Sequence, residues 1–376
     1  MKATIDHKAL RDGLELVASA LGQQRTLPVL GMIRVTANRE QGGLQLHTTD
    51  LEQALVTTVP AVVERDGEYC VNGAKFVQVV KELPGPVVLS RETDKTSVTL
   101  RSGSVRCSIV GLGAEDFPAL SKLEETTPIV VKAELLAQAI RNTQFAVSKD
   151  EARYALNGIR FLLSGKQAIL AATDGHRLVD TALPLEKGWD GEKREIIVPK
   201  GALKSLLAIV KGHQDVELRL TGSYLDVVAE ESRLSARLVE GQFPNIEAVK
   251  PKRSAERPEA TLSSKALKTA LRQASLMAEE RNHPAKLTFE TGKLTIASSS
   301  ADAGDAEIVV PDIAWTGQAP VTIGVNATYL LDWLELAPGE IVVSVKDAMS
   351  PLLLNGVPTP EGHKTAPEYV VMPMRI

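Results

Sequence analysis

A chain of 376 residues that is 44% hydrophobic and 24% charged is too long for one ordinary domain, and it carries apolar residues enough for two or three cores. No apolar run approaches the roughly 18 residues of a membrane span, residues 1–6 hold no apolar leader segment, and Cys70 and Cys107 have neither metal-ligand spacing nor a disulfide pattern, which together point to a cytoplasmic protein. A net charge of −4 excludes a globally basic nucleic-acid binder.

In chain order, helix-period apolar stripes are predicted over 7–20, 73–83, 132–144, 200–211, 264–277 and 327–336. They form two alternating sets. Leu10, Leu135 and Leu267 mark the first, 125 and 132 residues apart. Each member of the second is followed by a glycine, Gly85, Gly212 or Gly339, spaced by 127 and 127 and expected as the helix C-cap. An alternating strand follows each glycine. Thr49-Asp50, Thr173-Asp174 and Ser299-Ser300 each follow a short apolar strand, and Phe117-Pro118 and Phe243-Pro244 lie 126 apart. Four markers in one order make the chain three copies of a unit of about 125 residues, expected at 1–124, 125–253 and 254–376. Short strands broken at Gly42-Gly43, Ser164-Gly165 and Thr291-Gly292 predict antiparallel sheet, hence an α+β unit of two helices on sheets.

Catalytic signatures are missing. There is no HExxH, CxxC pair, Walker loop or GxSxG, and the six histidines sit singly. Asn326-Ala327-Thr328 reads as a helix N-cap by Asn326. The one dense polar cluster is Thr173-Asp174-Gly175-His176-Arg177. It reads either as a turn opened by Asp with Gly in the left-handed region, or as an Asp174–His176 acid/base pair. Repeat one has Thr49-Asp50-Leu51-Glu52 instead, so repeat two is expected to have specialised here. The six helical windows carry a net +6 within this acidic chain, which suits sequence-neutral contact with duplex phosphates, while 4% aromatics argue against base stacking. The last eight residues, Tyr369-Val370-Val371-Met372-Pro373-Met374-Arg375-Ile376, read as an edge strand, or as an adaptable wall of a partner groove because methionine repacks readily.

Ala172-Thr173-Asp174-Gly175-His176-Arg177-Leu178, Glu115-Asp116-Phe117-Pro118, Arg153-Tyr154-Ala155-Leu156-Asn157-Gly158, Gln242-Phe243-Pro244 and Tyr369–Arg375 resemble the bacterial DNA polymerase III beta subunits, the sliding clamps, over the whole chain. The resemblance implies three clamp-like domains per protomer. A head-to-tail homodimer would then close a six-domain ring with helices lining the hole. The function implied is that of a non-enzymatic processivity factor, without cofactor or metal. It would encircle duplex DNA and tether the replicative polymerase, the clamp loader and other proteins that carry a clamp-binding motif. An accessory, clamp-like paralogue is the alternative, motivated by the Pro/Gly-rich segment 355–366. Carried over from the family, the partner groove comprises Leu156, Thr173, Gly175, His176, Arg177, Leu178, Pro244, Val249, Val370, Met372, Pro373, Met374 and Arg375. It would take a short peptide with a Gln and apolar anchors. The DNA-facing residues implied are Arg25, Lys149, Arg153 and Lys200. Ring closure would set Cys107 and Ile109 against Leu276 and Met277, with Cys107 smaller than an apolar contact there would favour.

Overall fold

The computed structural model describes residues 1–22, 27–40, 42–92, 95–119, 123–251, 257–280, 282–357 and 366–375. Repeat one runs β1 (Lys2–Ile5), α1 (His7–Val17), β2 (Met32–Asn38), β3 (Gly43–Thr49), β4 (Gln53–Arg65), β5 (Gly67–Asn72), α2 (Gly73–Lys81), β6 (Val87–Ser90), β7 (Ser97–Ser102) and β8 (Val105–Leu112). Repeat two runs β9 (Ile129–Lys132), α3 (Ala133–Gln144), β10 (Gly158–Thr173), β11 (Arg177–Pro199), α4 (Lys200–Ile209), β12 (Asp215–Leu220), β13 (Tyr224–Ala229) and β14 (Ser232–Arg237). Repeat three runs β15 (Glu259–Ser263), α5 (Ser264–Ser275), β16 (Pro284–Glu290), β17 (Gly292–Ser300), β18 (Gly304–Trp315), β19 (Val321–Asn326), α6 (Ala327–Leu334), β20 (Glu340–Ser344), β21 (Leu352–Gly356) and β22 (Glu368–Val371). All six predicted helices form, and every strand pair with a defined register is antiparallel. Among the described residues no helix is long and apolar enough to cross a membrane.

The repeat is visible in its details. Gly42 and Gly292 take φ of 63° and 78° at the β2–β3 and β16–β17 hairpins, and Gly165 takes φ of 57° at the matching place within β10. The first helices use their predicted stripes, burying Leu10, Leu14 and Val17 in α1 and Leu267, Ala270, Leu271 and Ala274 in α5. Each large apolar side chain so buried contributes about 1.5–3 kcal/mol. Gly13 lets α1 sit close on β4, because a Cβ there would lie 2.5 Å from Val59 Cγ2. Side-chain caps start the helices: Asp6 accepts from Ala9 N, Asn72 from Lys75 N, and Asn326 from Thr328 N, as expected for Asn326.

The glycine C-caps are not found as expected. α2 is closed by Glu82, α4 by Val210 and α6 by Glu335, all in the right-handed region. Gly212 and Gly339 do take φ of 85° and 80°, but beyond the cap, where the chain turns into the next strand. Gly339 O there accepts from Ser264 N, the first residue of α5.

Contacts divide the chain into two compact units. One is Met1–Gln138 with Leu163–Ala168 and Pro184–Glu240, and the other is Ala139–Leu162 with Ile169–Leu183 and Gly241–Ile376. The middle repeat is shared because its strands extend the sheets of both neighbours. In the first unit β4 pairs with β14, Gln53 opposite Ala236 through Thr57 opposite Ser232. In the second, β11 pairs with β22. The first unit also buries His47 at 4% exposure, edge-on to Phe117 at 4.9 Å. Burial, reinforced by the Arg34 charge, lowers its pKa to about 4, so it is neutral.

Candidate functional site

The polar cluster of repeat two is a tightly bonded turn between β10 and β11. Thr173 Oγ1 donates to Arg177 O at 2.6 Å and accepts from Gly175 N at 3.1 Å. Asp174 Oδ1 accepts from the backbone N–H groups of His176 and Arg177 at 2.9 and 3.1 Å. Gly175 supplies φ of 91°. Both Asp174 oxygens are engaged by the turn and by Arg177, and its bond to His176 is to the backbone, not the ring.

The backbone turn itself is not peculiar to repeat two. In repeat one, Thr49 Oγ1 donates to Gln53 O and accepts from Leu51 N, and Asp50 Oδ1 accepts from Glu52 N and Gln53 N. Leu51 there takes φ of 79°, where Gly175 stands in repeat two. The backbone device is common to both repeats. What differs is side-chain chemistry at the third to fifth positions.

The C-terminal strand is internal to its sheet rather than the edge strand expected. β22 lies between β11 and β21, with Leu178 opposite Val370 on one side and Leu353 opposite Val370 on the other. Beyond it the chain stays fixed, because Met372 N donates to His176 O and Met374 N to Gly324 O, both at 2.8 Å. Thr173, Leu178 and Val370 are buried strand residues. Gly175, His176 and Arg375 are exposed, and Met372, Pro373 and Met374 are half-buried beside them.

Arg177 is 6% exposed, and each nitrogen of its guanidinium donates inside the unit. Nε donates to Asp174 Oδ2 at 2.9 Å, Nη1 to Asp332 Oδ2 at 2.6 Å and Nη2 to Phe145 O at 2.7 Å. The group lies 4.6 Å from the Tyr329 ring centre and 5.5 Å from that of Phe145. Burial works against its charge, but Tyr369, Asp332 and Asp174 reverse this and raise its pKa. Tyr369 is itself fully buried, donates to Tyr329 O at 3.0 Å and stacks with Trp333 at 6.1 Å. Burial pushes its phenol well above the usual range.

Two loops flank the turn. One holds the 3-10 turn Tyr154–Leu156, with Leu156 half-buried and Arg153 Nη1 donating to Asp174 O at 3.2 Å. The other, 241–250, holds exposed Pro244 and Val249, the latter 43% exposed. Gly241 approaches Tyr154 so closely that a Cβ would lie 3.0 Å from its ring. Lys250 Nζ reaches Asp180 at 2.9 Å and Glu368 at 2.6 Å, two carboxylates that face each other across β11 and β22. Burial opposes its charge, and the bonds to Glu368 and Asp180 overcome this and raise its pKa. These contacts tie the turn, both loops and the C-terminal segment to one another within the second unit.

The other expected residues are more scattered. Lys149 is exposed, and Arg153 pairs with Asp150 at 3.5 Å, which with its bond to Asp174 O places it at the turn. Lys200 begins α4 and is exposed, as is Lys204 one turn on. Arg25 and residues 358–365 of the Pro/Gly-rich segment lie outside the described residues. On β8 the alternation turns Ile109 inward at 6% exposure and leaves Cys107 intermediate, while Val110 and Leu112 are 70% and 46% exposed. Leu276 is 75% exposed and Met277 half-buried. Sequence reading missed the supports: Phe145, Tyr329, Asp332 and Lys250 carry no local motif, and only their tertiary contacts with Arg177, Asp180 and Glu368 bring them in.

Family models for the DNA polymerase III beta subunit match the chain over residues 1–121 (N-terminal domain), 130–245 (central domain) and 250–375 (C-terminal domain). A beta sliding clamp of Proteus mirabilis is 30% identical, and one of Escherichia coli K12 28%, each over the full length of both chains. The crystal structure of the Pseudomonas aeruginosa DNA polymerase III subunit beta superposes with a TM-score of 0.88 at 27% identity, covering both chains completely. A P. aeruginosa sliding clamp bound to griselimycin superposes at 0.90, also at 27% identity and with full coverage. With a 30% identical relative matched end to end and three beta-subunit models in order along it, the chain belongs to the DNA polymerase III beta subunit family, the beta sliding clamps.

Proposed function

We propose that this beta sliding clamp is a non-enzymatic processivity factor that tethers partner proteins to duplex DNA through the surface around the 173–177 turn. One observation carries the proposal: Met372 N donates to His176 O at 2.8 Å, which sets the half-buried Met372, Pro373 and Met374 beside the exposed end of the turn. Unbranched thioethers on a rigid strand end can accept several apolar anchors, and exposed backbone at Gly175 can orient an extended peptide. The groove on this reading comprises Leu156, Thr173, Gly175, His176, Arg177, Leu178, Pro244, Val249, Val370, Met372, Pro373, Met374 and Arg375. Thr173, Arg177, Leu178 and Val370 would support it from beneath. Its occupants would be short peptides of the replicative polymerase, the clamp loader and repair proteins.

The protomer would comprise repeats at 1–124, 125–253 and 254–376. Two protomers would close head to tail, with β8 (Cys107 and Ile109, and also the exposed Val110 and Leu112) against Leu276 and Met277. Lys149, Arg153, Lys200 and the exposed Lys204 would meet DNA phosphates without reading bases. Linkage, not tight contact, then retains the clamp, and the tethered polymerase gains effective concentration at the primer end. The site of action would be the cytoplasm.

The test is a fluorescence-anisotropy titration of a labelled peptide, bearing a Gln and apolar anchors, against the full chain and a chain lacking residues 372–376. The expected result is peptide binding that the deletion abolishes while sedimentation still shows a dimer. Undiminished binding by the shortened chain would refute the groove, and loss of the dimer would refute its separation from the ring interface.

A further inference from the structure

We infer that Lys250 is a positioning residue for the partner groove, fixing Val249 and the C-terminal strand where a peptide must meet them. The inference rests on the groove reading above and adds a residue outside it. Val249 belongs to a short turn: Val249 N and Lys250 N both donate to Ile246 O, at 3.1 and 3.0 Å. Ile246, at 2% exposure, anchors one end of that turn in the core. At the other end the Lys250 ammonium bonds Asp180 at 2.9 Å and Glu368 at 2.6 Å. Between these two anchors Val249 stands 43% exposed.

The carboxylates held by Lys250 are cross-strand partners. Asp180 lies opposite Glu368, three pairs along from Arg177 opposite Val371. Like charges directly opposite in a sheet repel, and these side chains are only 15% and 18% exposed, so water screens them poorly. The ammonium between them therefore does two things. It ties the 246–250 turn to β11 and β22, and it relieves a repulsion that would part β22 from β11. β22 leads directly into Met372, Pro373 and Met374, so both effects converge on the peptide surface.

The test measures the labelled peptide against the full chain and its variants. Lys250→Met is expected to weaken binding on the order of tenfold, and Lys250→Arg, which can still bridge both carboxylates, to stay within about threefold. Val249→Ala should weaken binding in the wild-type background and have little further effect beside Lys250→Met, because the valine is then no longer held in place. The triple variant Lys250→Met/Asp180→Asn/Glu368→Gln removes the repulsion along with the tether. It should melt close to wild type yet remain weak for peptide, and it stands in for Lys250→Met should that variant not fold. Native affinity in Lys250→Met, or full recovery of affinity in the triple variant, would overturn the inference. The chain lacking 372–376 separates the two readings. If it binds as wild type the groove itself is wrong, whereas if it fails to bind while Lys250→Met is unaffected, only the role of Lys250 is wrong.

Discussion

Replacing Arg177 by Met tests whether this arginine touches the partner or holds the site from beneath. Methionine keeps most of the stem packing and removes the guanidinium. Asp174, its side chain 16% exposed, then loses the cation bonded to Oδ2, and Phe145 O loses its donor. Breaking a buried ion pair costs about 3–5 kcal/mol, and an orphaned buried carbonyl about 1–3 kcal/mol. The Asp332 contact is 38% exposed on the carboxylate side and adds little, since solvent screens it. Relaxation of the turn recovers part of the total, leaving roughly 4 kcal/mol, a large share of the 5–15 kcal/mol typical of a folded domain. For a unit of this size each kcal/mol moves the melting temperature by about 2–4 °C, so the transition of the second unit should fall by about 8–16 °C in differential scanning calorimetry. Peptide affinity measured well below that transition should change by less than about threefold, because each guanidinium nitrogen of Arg177 already donates within the unit and the residue is only 6% exposed. The direct role expected from sequence makes the opposite prediction. A melting temperature within about 2 °C of wild type, together with an affinity loss of more than about tenfold, would refute the reasoning.

Other consequences are equally open to measurement. His47 is held neutral by burial, its pKa lowered to about 4 from 6.5, so the unfolded chain binds the proton first and stability is lost as pH falls from about 6.5 towards 4. The loss approaches about 3 kcal/mol at the low end, and urea melts across that range should be flatter for His47→Gln; equal slopes would remove His47 from the account. Leu51 occupies φ of 79° and is 52% exposed. Leu51→Gly should therefore raise stability by about 0.5–1 kcal/mol, relief of left-handed strain outweighing glycine's entropy, and a fall would show that the leucine packs more than its exposure implies. Charge reversal at Lys200 and Lys204, both exposed on α4, should weaken retention on circular duplex DNA most at low salt and leave peptide affinity unchanged. A salt-independent loss, or a change in peptide affinity, would argue against a phosphate-facing α4.

The helices and their triplication were legible because periodicity is local. Leu10, Leu14 and Val17 announce one buried face whatever lies beneath it. The glycines after the second helices were harder to read. Gly212 and Gly339 do need the left-handed region, but sequence alone could not tell a helix cap from the turn into the next strand. Gly85, spaced in the same way, does not take positive φ, so spacing alone overstated the likeness. The C-terminal strand looked like an edge because only one of its neighbours, β21, lies near it in sequence. β11 begins almost 200 residues earlier, and no local pattern encodes that pairing. Arg177 was recognisable as important from its motif, yet its burial depends on Phe145, Tyr329 and Asp332, which share only a destination in the fold.

The two junctions of repeats show how little new backbone the proposed groove requires. In the first unit, Arg237 N donates to Glu52 O at 2.8 Å, and Val239 N to Ile197 O at 2.9 Å. In the second, Met372 N donates to His176 O and Met374 N to Gly324 O, each at 2.8 Å. The donors are two residues apart in both cases, and both sit at or just beyond the end of the strand that pairs with the repeat before it. The Thr-Asp turn is bonded identically in each. Backbone geometry thus offers the same platform twice, and side chains must decide which one receives a peptide. At the first, Leu51 raises an isobutyl group over the turn and Gln53 sends its amide to Asp50 and Gly201 O. At the second, Gly175 leaves the turn bare, and a Cβ there would lie 2.8 Å from Arg153 Nη1. Arg177 locks the turn to α6 through Asp332, and two methionines take the places held by Arg237 and Val239. A peptide approaching the first platform meets a filled surface flanked by Glu52 and Arg237, while one approaching the second meets open backbone and thioethers. On the proposed reading, one groove per protomer would follow from five or six side chains, not from any difference in fold.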